Sequence, residues 1–547
     1  MNKLIFTLSI YFNMPADCIS FKNTGYFSSL ICDYLDENQE LKPFYNRFPN
    51  LDNFKNQIEE KGAHFTPESR KVLHGGVLTE QYKKVEASVL TLQNIDLLKL
   101  ENTFTVTTGH QLNLFTGPLY FLYKIVSAIN LSKELKEKYP DQNFVPIYWM
   151  ATEDHDFDEI NYFNFRGKKV QWNKDASGAV GELSTEGLAE VFEVFSNEIG
   201  HTKNAEHLKS LFQDAYLEHD NLADATRYLA NAVFHEYGLV IVEANNAALK
   251  KEFIPFIETE LLNQTSFKAV TETIEDLNNY SEGYKAQVNP REINLFYLNE
   301  NLRERIVFED DIYKVVNTAI TWTKNAILDE VKKHPEHFSP NVIMRPLYQE
   351  VILPNLCYIG GGGELAYWFQ LKKYFNTVNV PFPVLLLRNS VLIQTESQSK
   401  KLENLNISKE DVFLKRSAFI NKKVREISNI DIDFSEQKKH LIKQFESMYK
   451  IAEDTDKSFL GAVKAQEVKQ LQGLEHLENR LLKAQKRKLK DAVSRMTDLQ
   501  TELFPGGSLQ ERNTNFSEFY LEYGEQLLPN LIKNLQPLKG DFLLLTI

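Results

Sequence analysis

Glu153-Asp154-His155-Asp156-Phe157-Asp158 crowds four carboxylates and an imidazole into one turn, directly behind the apolar run at 144–150. So many like charges repel one another, and chains tolerate such a turn where a metal, a substrate ammonium or an arginine compensates it. Glu153, Asp154, His155 and Asp156 are therefore candidates for acid–base work or for holding an amine. A solvated, helix-capping acidic loop is the alternative. His110 and His155 together offer two imidazoles to a mononuclear metal, but their spacing matches no zinc signature and no metal is expected.

Thr107-Thr108-Gly109-His110-Gln111 stands behind a second apolar run, 104–107. Gly109-His110-Gln111 resembles the first-strand turn of nucleotidyltransferase-type Rossmann folds. There glycine lets the backbone approach a nucleotide and a ring nitrogen can donate to phosphoryl oxygens. The alternative is a capping turn in which His110 binds a backbone carbonyl.

A third stretch, 341–390, again sets polar residues just past apolar ones. A strand at 342–344 is expected to run into Arg345, followed by a helix with Tyr348, Gln349 and Glu350. Gly360 to Gly363 then precede Glu364, an arrangement able to cradle an anion at a helix N-terminus; it is no P-loop, since no GK[ST] follows. A flexible helix-to-helix turn, with Glu364 merely complementing the helix dipole, is the alternative. A last strand at 383–387 leads into Arg388-Asn389-Ser390. Arg345, Gln349 and Arg388 suit a carboxylate ligand, because guanidinium pairs with it through two parallel hydrogen bonds. Tyr120/Tyr123, Tyr367/Trp368 and Phe516/Phe519/Tyr520 read as packing.

What must position these groups is an α/β core. The runs 104–107 and 144–150 have strand length, and a helix between them is expected to open at Thr116-Gly117-Pro118, capped by Thr116, with a buried stripe of Leu119, Leu122, Tyr123, Val126, Ile129 and Asn130. Such a βαβ unit places ligands beyond the strands' carboxyl ends, where both polar groups lie. Helices are expected at 26–35 and 51–61, with a longer polar one over 69–98. Residues 166–221 read as an insertion or strand-rich excursion. The core resumes with a helix at 222–237 ending at Gly238, a strand at 239–242 and a helix at 247–263. Short strands follow at 295–298 and 305–308 in a connective region. From 435 the spacing of Leu471, Leu474, Leu477 and Leu481, continued to Leu503, describes a coiled-coil-like arm folded as an antiparallel hairpin and suited to self-association. The tail beyond Phe504 is expected to pack back on the core. The resulting division is 1–13 as an extension, 14–165 as N-terminal helices with the first half of the core, and 166–335 as insertion, resumed core and connective region. The second half of the core is 336–434, the arm 435–503 and the tail 504–547.

The chain of 547 residues, 43% hydrophobic, can bury a large core. Its net charge of −13 and pI near 5.6 repel phosphate backbones, which argues against nucleic acid as a general partner and for small molecules. Three cysteines without CxxC spacing argue against a disulfide framework and fit a reducing, cytoplasmic setting. Residues 1–14 carry a lysine and a short apolar run, but no cleavage pattern follows and the run is too short to span a membrane; a working start near Met14 is expected.

The strings TGHQLNLFTGPLYFLYKIVSAI, PIYWMATEDHDFDE, RPLYQEVILPNLCYIGGGGELAYW and QERNTNF, in that order and with a coiled-coil arm between the last two, resemble the bacillithiol cysteine-adding enzyme family (BshC). The similarity runs from about Thr24 to the C-terminus, departing at His110, where many members carry glutamine, and at Gly362, where many carry proline. The resemblance implies a Rossmann-like nucleotidyltransferase core, a connective helical domain and a coiled coil used for homodimers. It implies a ligase that joins L-cysteine to the amine of glucosaminyl malate, the last step in making this low-molecular-weight thiol. ATP activation of the cysteine carboxyl as an adenylate would then set Thr108, Gly109, His110 and Gln111 near the phosphates. Glu153, Asp154 or Asp156 would hold the cysteine ammonium or take a proton from the attacking amine, with His155 beside them. Arg345, Gln349 and Glu364 would contact substrate, and Arg388, Asn389, Ser390 and Arg512 a second nucleotide surface. The chain has neither a KMSKS-type loop nor cysteine ligands for a thiol-selecting zinc. Rival readings are a metal-dependent hydrolase or nucleotidyltransferase using His110, Asp154 and His155, and a non-catalytic coiled-coil scaffold.

Overall fold

Thr103–His110 alternates β-branched residues with few breaks, and all eight positions are buried, as a central parallel strand covered on both faces requires. In the computed structural model, which describes residues 16–281 and 283–547, this strand (β1) lies at the centre of a five-stranded sheet. The expected extension 1–13 lies outside the described residues. The other strands are β2 (Asn143–Met150), β3 (Val240–Glu243), β4 (Asn355–Gly360) and β5 (Val384–Leu387). Their order is β5-β4-β1-β2-β3 and every pairing is parallel. Chain order reverses between β1 and β4, so the crevice beyond those two carboxyl ends is where such a sheet receives ligands.

The helix between β1 and β2, α1 (Tyr120–Lys138), is buried around its whole circumference from Phe121 to Ser132, not along one stripe. The tail covers its outer side: Asn130 Nδ2 donates to the carbonyls of Ile532 (2.8 Å) and Leu535 (2.7 Å). Each large apolar side chain so enclosed contributes roughly 1.5–3 kcal/mol. Thr116 does not cap α1. It sits at φ 69° in a tight turn after Phe115 at φ 47°, and the tail secures the turn: Asn515 Nδ2 donates to the carbonyls of Phe115 and Gly117, and Leu119 N to the carbonyl of Thr514. The helix instead starts four residues later because the left-handed pair redirects the chain.

Other expectations need correcting. Residues 342–344 form no strand. The strand there is Phe338–Pro340, after which Asn341 turns the chain, its Oδ1 accepting from Ile343 N, and Arg345 begins α2 (Arg345–Ile352). The glycine run joins strand to helix, β4 to α3 (Gly362–Phe369), rather than helix to helix. The stretch 166–221 is mainly helical: a hairpin of Tyr162–Phe165 and Lys168–Gln171 leads to Leu188–Ile199 and Lys203–Tyr216. The first of these helices buries Leu188, Val191, Phe195 and Ile199, a three-and-four spacing. The single helix expected over 69–98 is broken into short turns. Between β3 and β4 lie a helix at Thr265–Tyr280, not expected, and a five-stranded antiparallel sheet. Within that sheet, Leu295–Asn299 and Leu302–Glu309 fall where strands were expected.

The arm is an antiparallel pair, Ser435–Glu453 against Lys457–Lys488, closed by Phe445, Ala452 and Val463; a kink at Leu489 separates it from Lys490–Leu503. The tail packs on the core as expected and adds a strand, Asp541–Thr546, paired parallel with Val391–Gln394 and antiparallel with Ala16–Ser20. Among the described residues no helix is long and apolar enough to cross a membrane.

Candidate active site

A cavity of about 610 Å³ opens beyond the carboxyl ends of β1 and β4, at the point of strand-order reversal. Its floor is a buried ion pair. Lys124, on the second turn of α1, sends its Nζ to the Gly109 carbonyl (2.7 Å) and to Glu364 Oε2 (2.6 Å). Glu364 caps α3 by accepting from Gly361 N at 2.9 Å, and takes the Tyr358 hydroxyl on Oε1 at 2.6 Å. Burial works against its charge, but the Lys124 ammonium, the Gly361 amide and Tyr358 outweigh it and hold the carboxyl down at about 2. Burial pulls the Lys124 ammonium below its ordinary value, with Glu364 opposing.

Above this floor Arg345 Nη2 donates to the Tyr367 hydroxyl at 2.7 Å, and its guanidinium lies 5.9 Å from the centre of the Tyr358 ring. Burial opposes its charge, yet Tyr367, Tyr358 and Glu364 raise its pKa, making it a permanent cation. Among the described residues neither Arg345 nor Arg512, an exposed residue that also lines the cavity, is paired with a carboxylate.

The acidic turn forms the facing wall. Gln111 Nε2 bridges Asp154 (2.9 Å) and Glu159 (2.8 Å), and Asp154 Oδ1 accepts from His155 N at 2.8 Å. Despite burial, His155, Gln111 and the nearby Arg303 hold Asp154 well below the usual carboxylate range. Glu153 pairs with the buried Lys250, which also donates to the Phe338 carbonyl at 2.8 Å. Arg303 arrives from the antiparallel sheet, stacks 4.0 Å over Phe296 and reaches His155 Nδ1 at 2.7 Å. His110 is wedged between Tyr120 and Phe121 with its Nε2 buried and without a hydrogen-bond partner. Burial, with Lys124 nearby, lowers its pKa to about 3, so the ring is neutral at physiological pH.

The structure thus brings Gly109, His110, Gln111, Glu153, Asp154, Arg345, Glu364, Arg388 and Arg512 to one cavity. Arg388 reaches it already neutralised, gripped by Glu511 through bonds of 2.8 and 3.1 Å and lying over the Tyr120 ring. Six expected residues do not line it. Thr108 Oγ1 spends its proton on the Ile359 carbonyl, tying β1 to β4. Gln349 is buried behind Arg345. Asn389 is held by Ser127 and the Gln536 carbonyl, and Ser390 by Glu511, both in the joint with the tail. His155 and Asp156 point to the exterior of the acidic turn. The residues not foreseen were Lys124, Lys250, Arg303, Tyr358 and Tyr367. For Lys124 a signal existed: it interrupts an otherwise apolar helical run, where an unpaired ammonium would be costly.

The family model for the bacillithiol biosynthesis BshC N-terminal Rossmann-like domain matches residues 14–389, and that for the BshC C-terminal coiled-coil domain matches 391–547. A protein of Flavobacterium johnsoniae named "Putative cysteine ligase BshC" is 61% identical over 98% of this chain and all of its own length. Proteins of the same name from Christiangramia forsetii and Bacillus cereus are 62% and 28% identical, over 97% and 92% of this chain and 99% and 95% of their own. A solved structure titled as a putative arginyl tRNA synthetase from Campylobacter jejuni covers 82% of this chain and 98% of its own at 11% identity, with a TM-score of 0.20 too low to bear on the fold. With both domain models matched end to end and a cavity at the reversal point of a parallel sheet, the chain belongs to the BshC family of bacillithiol biosynthesis.

Proposed function

We propose that this chain is a cytoplasmic ligase that joins the carboxyl of L-cysteine to the amine of glucosaminyl malate, with ATP activating the carboxyl. The observation that carries this reading is the mixed charge of the cavity lining: Arg345 and Arg512, which have no carboxylate partner among the described residues, share it with the carboxylates Asp154 and Glu159. Cysteine presents an ammonium with a carboxylate, and glucosaminyl malate an amine with two carboxylates, so each reactant carries groups that both kinds of lining residue can bind.

Arg345 takes a malate carboxylate through its free guanidinium edge. Asp154, whose pKa is held low, stays ionised throughout and serves as a fixed anion for an ammonium rather than as the base. Glu159, on the exposed lip and sharing Gln111 with Asp154, is the group placed to accept the proton the amine loses. Gly109 and Gly361, lacking side chains, let a phosphate approach the cavity floor closely, and the exposed Arg512 guanidinium can donate to phosphoryl oxygens. ATP would supply the activation, its adenylyl group passing to the cysteine carboxylate with loss of pyrophosphate before the amine displaces AMP.

The arm carries exposed Ile442, Met448, Ile451, Phe459, Val468 and Leu477, an apolar surface that a second copy of the hairpin would cover, and we read it as the homodimer contact. The reading is tested in cells by mass spectrometry of labelled low-molecular-weight thiols. Deleting the gene, or replacing it with an Asp154→Asn version, should abolish the cysteinyl conjugate while its amine precursor accumulates. An unchanged thiol pool overturns it.

A further inference from the structure

Away from the cavity, the turn after the helix Lys324–Lys333 gathers a donor set that nothing in the ligase reading uses. His334 ends that helix, and Pro335 starts the single turn Pro335–His337. The His334 and His337 rings lie nearly parallel, 5.0 Å apart and tilted by 16°. His334 Nδ1 is 3.3 Å from Glu336 Oε1. One ligand atom from each of His334, Glu336 and His337 can be chosen so that all three lie within 4.8 Å of one another.

We propose that His334, Glu336 and His337 bind a divalent transition metal of the zinc class. Two imidazoles and one carboxylate form the donor set of open zinc sites, whereas calcium and magnesium favour oxygen alone. The 3.3 Å between His334 Nδ1 and Glu336 Oε1 is close to the roughly 3.4 Å edge of a tetrahedron with bonds of about 2.1 Å. A supporting layer is already built. His337 Nδ1 is engaged by the Tyr297 hydroxyl (3.1 Å) and Glu330 Oε1 (3.4 Å), and Tyr297 itself donates to Glu330 at 2.7 Å. That fixes the ring and leaves Nε2 as the ligating nitrogen, the carboxylate-to-histidine support common around bound metals. With Glu330 close by, two carboxylates stand beside the two imidazoles, anionic groups that favour a dication. The turn continues into Phe338, whose carbonyl holds Lys250, the partner of Glu153 in the cavity wall; a metal here would stiffen the strand on which that lysine rests.

The test uses the full chain, stripped with chelator and titrated with Zn²⁺ by calorimetry, with Co²⁺ absorption as a second readout of the ligand field. One equivalent is expected to bind. His334→Ala and His337→Ala should each weaken that site at least about tenfold, and Glu330→Gln about ten- to a hundredfold, as removal of supporting groups does. His201→Ala, on a distant surface, should leave it unchanged. His334→Gln provides the mildest change at the exposed ring, and metal-free circular dichroism verifies that each variant is folded. Failure of the parent chain to take up zinc, or uptake unchanged in the His334→Ala/His337→Ala double variant, overturns the site without touching the ligase reading.

Discussion

Lys124 and Glu364 meet 2.6 Å apart beneath the carboxyl ends of β1 and β4, joining a helix of the first half of the core to the first turn of a helix in the second. Because the same ammonium also holds the Gly109 carbonyl, the pair sets the width of the crevice at its base. Removing one partner strands the other charge: the Lys124 ammonium is almost fully enclosed and the Glu364 carboxylate about three-quarters so. Lys124→Met should therefore destabilise the protein by about 3 kcal/mol, and Lys124→Met/Glu364→Gln by less, as read from denaturant midpoints. A double variant no better than the single one would show that the pair is not the organising contact.

The pH dependence follows from two buried groups. His110 titrates near 6.5 when unfolded and at about 3 when folded, so between these values the unfolded chain binds more protons. Its contribution is complete above about pH 6.5 and drains as pH falls toward 3. Glu364, depressed from 4.5 to about 2, adds a lower window of the same sign, complete above about pH 4.5 and lost toward pH 2. His110→Gln should flatten the loss of stability between pH 7 and pH 4, measured by thermal melts across that range; a parallel profile in both proteins would contradict the buried neutral ring.

Arg388 and Glu511 are both almost fully enclosed, at 3% and 1% exposure, which makes their pair the latch of the tail. Glu511 also accepts from Val391 N and Ser390 Oγ, fixing the strand that begins there. Arg388→Ala leaves a carboxylate buried without its cation and should cost about 4 kcal/mol, with early proteolytic release of the segment after Phe504. Glu511→Gln, which keeps the side chain's volume and one of the two acceptor oxygens, should also loosen the tail but cost less.

Arg345 lines the cavity half-buried and without a carboxylate partner. Arg345→Lys keeps the charge but loses the planar fork, so KM for the carboxylate-bearing amine substrate should rise by roughly tenfold while kcat changes little. A fall in kcat at constant KM would place Arg345 at the reacting atoms instead.

The parts legible in the sequence were those governed by local rules. β1, β2 and α1 announce themselves by strand-length apolar runs and an intervening helical period, and the acidic turn and glycine run fall at strand ends as an open α/β sheet demands. Long-range pairing was not legible. Nothing near Thr116 says that Asn515, four hundred residues on, supplies the contacts of the turn, and nothing near Arg388 shows that Glu511 will consume its charge. Arg303 comes to the acidic wall only because an antiparallel sheet folds over the core. His334-Pro335-Glu336-His337 is a short string whose two rings stack only once Tyr297 and Glu330 arrive from other elements. The apolar run at 342–344 has the composition of a strand, yet Asn341 turns the chain there.

The joining of cysteine to glucosaminyl malate is measured most directly by mass spectrometry of purified full-length protein incubated with both substrates and ATP. A cysteinyl glucosaminyl malate product should form together with AMP and pyrophosphate, and should be lost in Asp154→Asn. Product formed with ADP and phosphate would contradict the adenylate route, and no product with either activation would contradict the ligase itself.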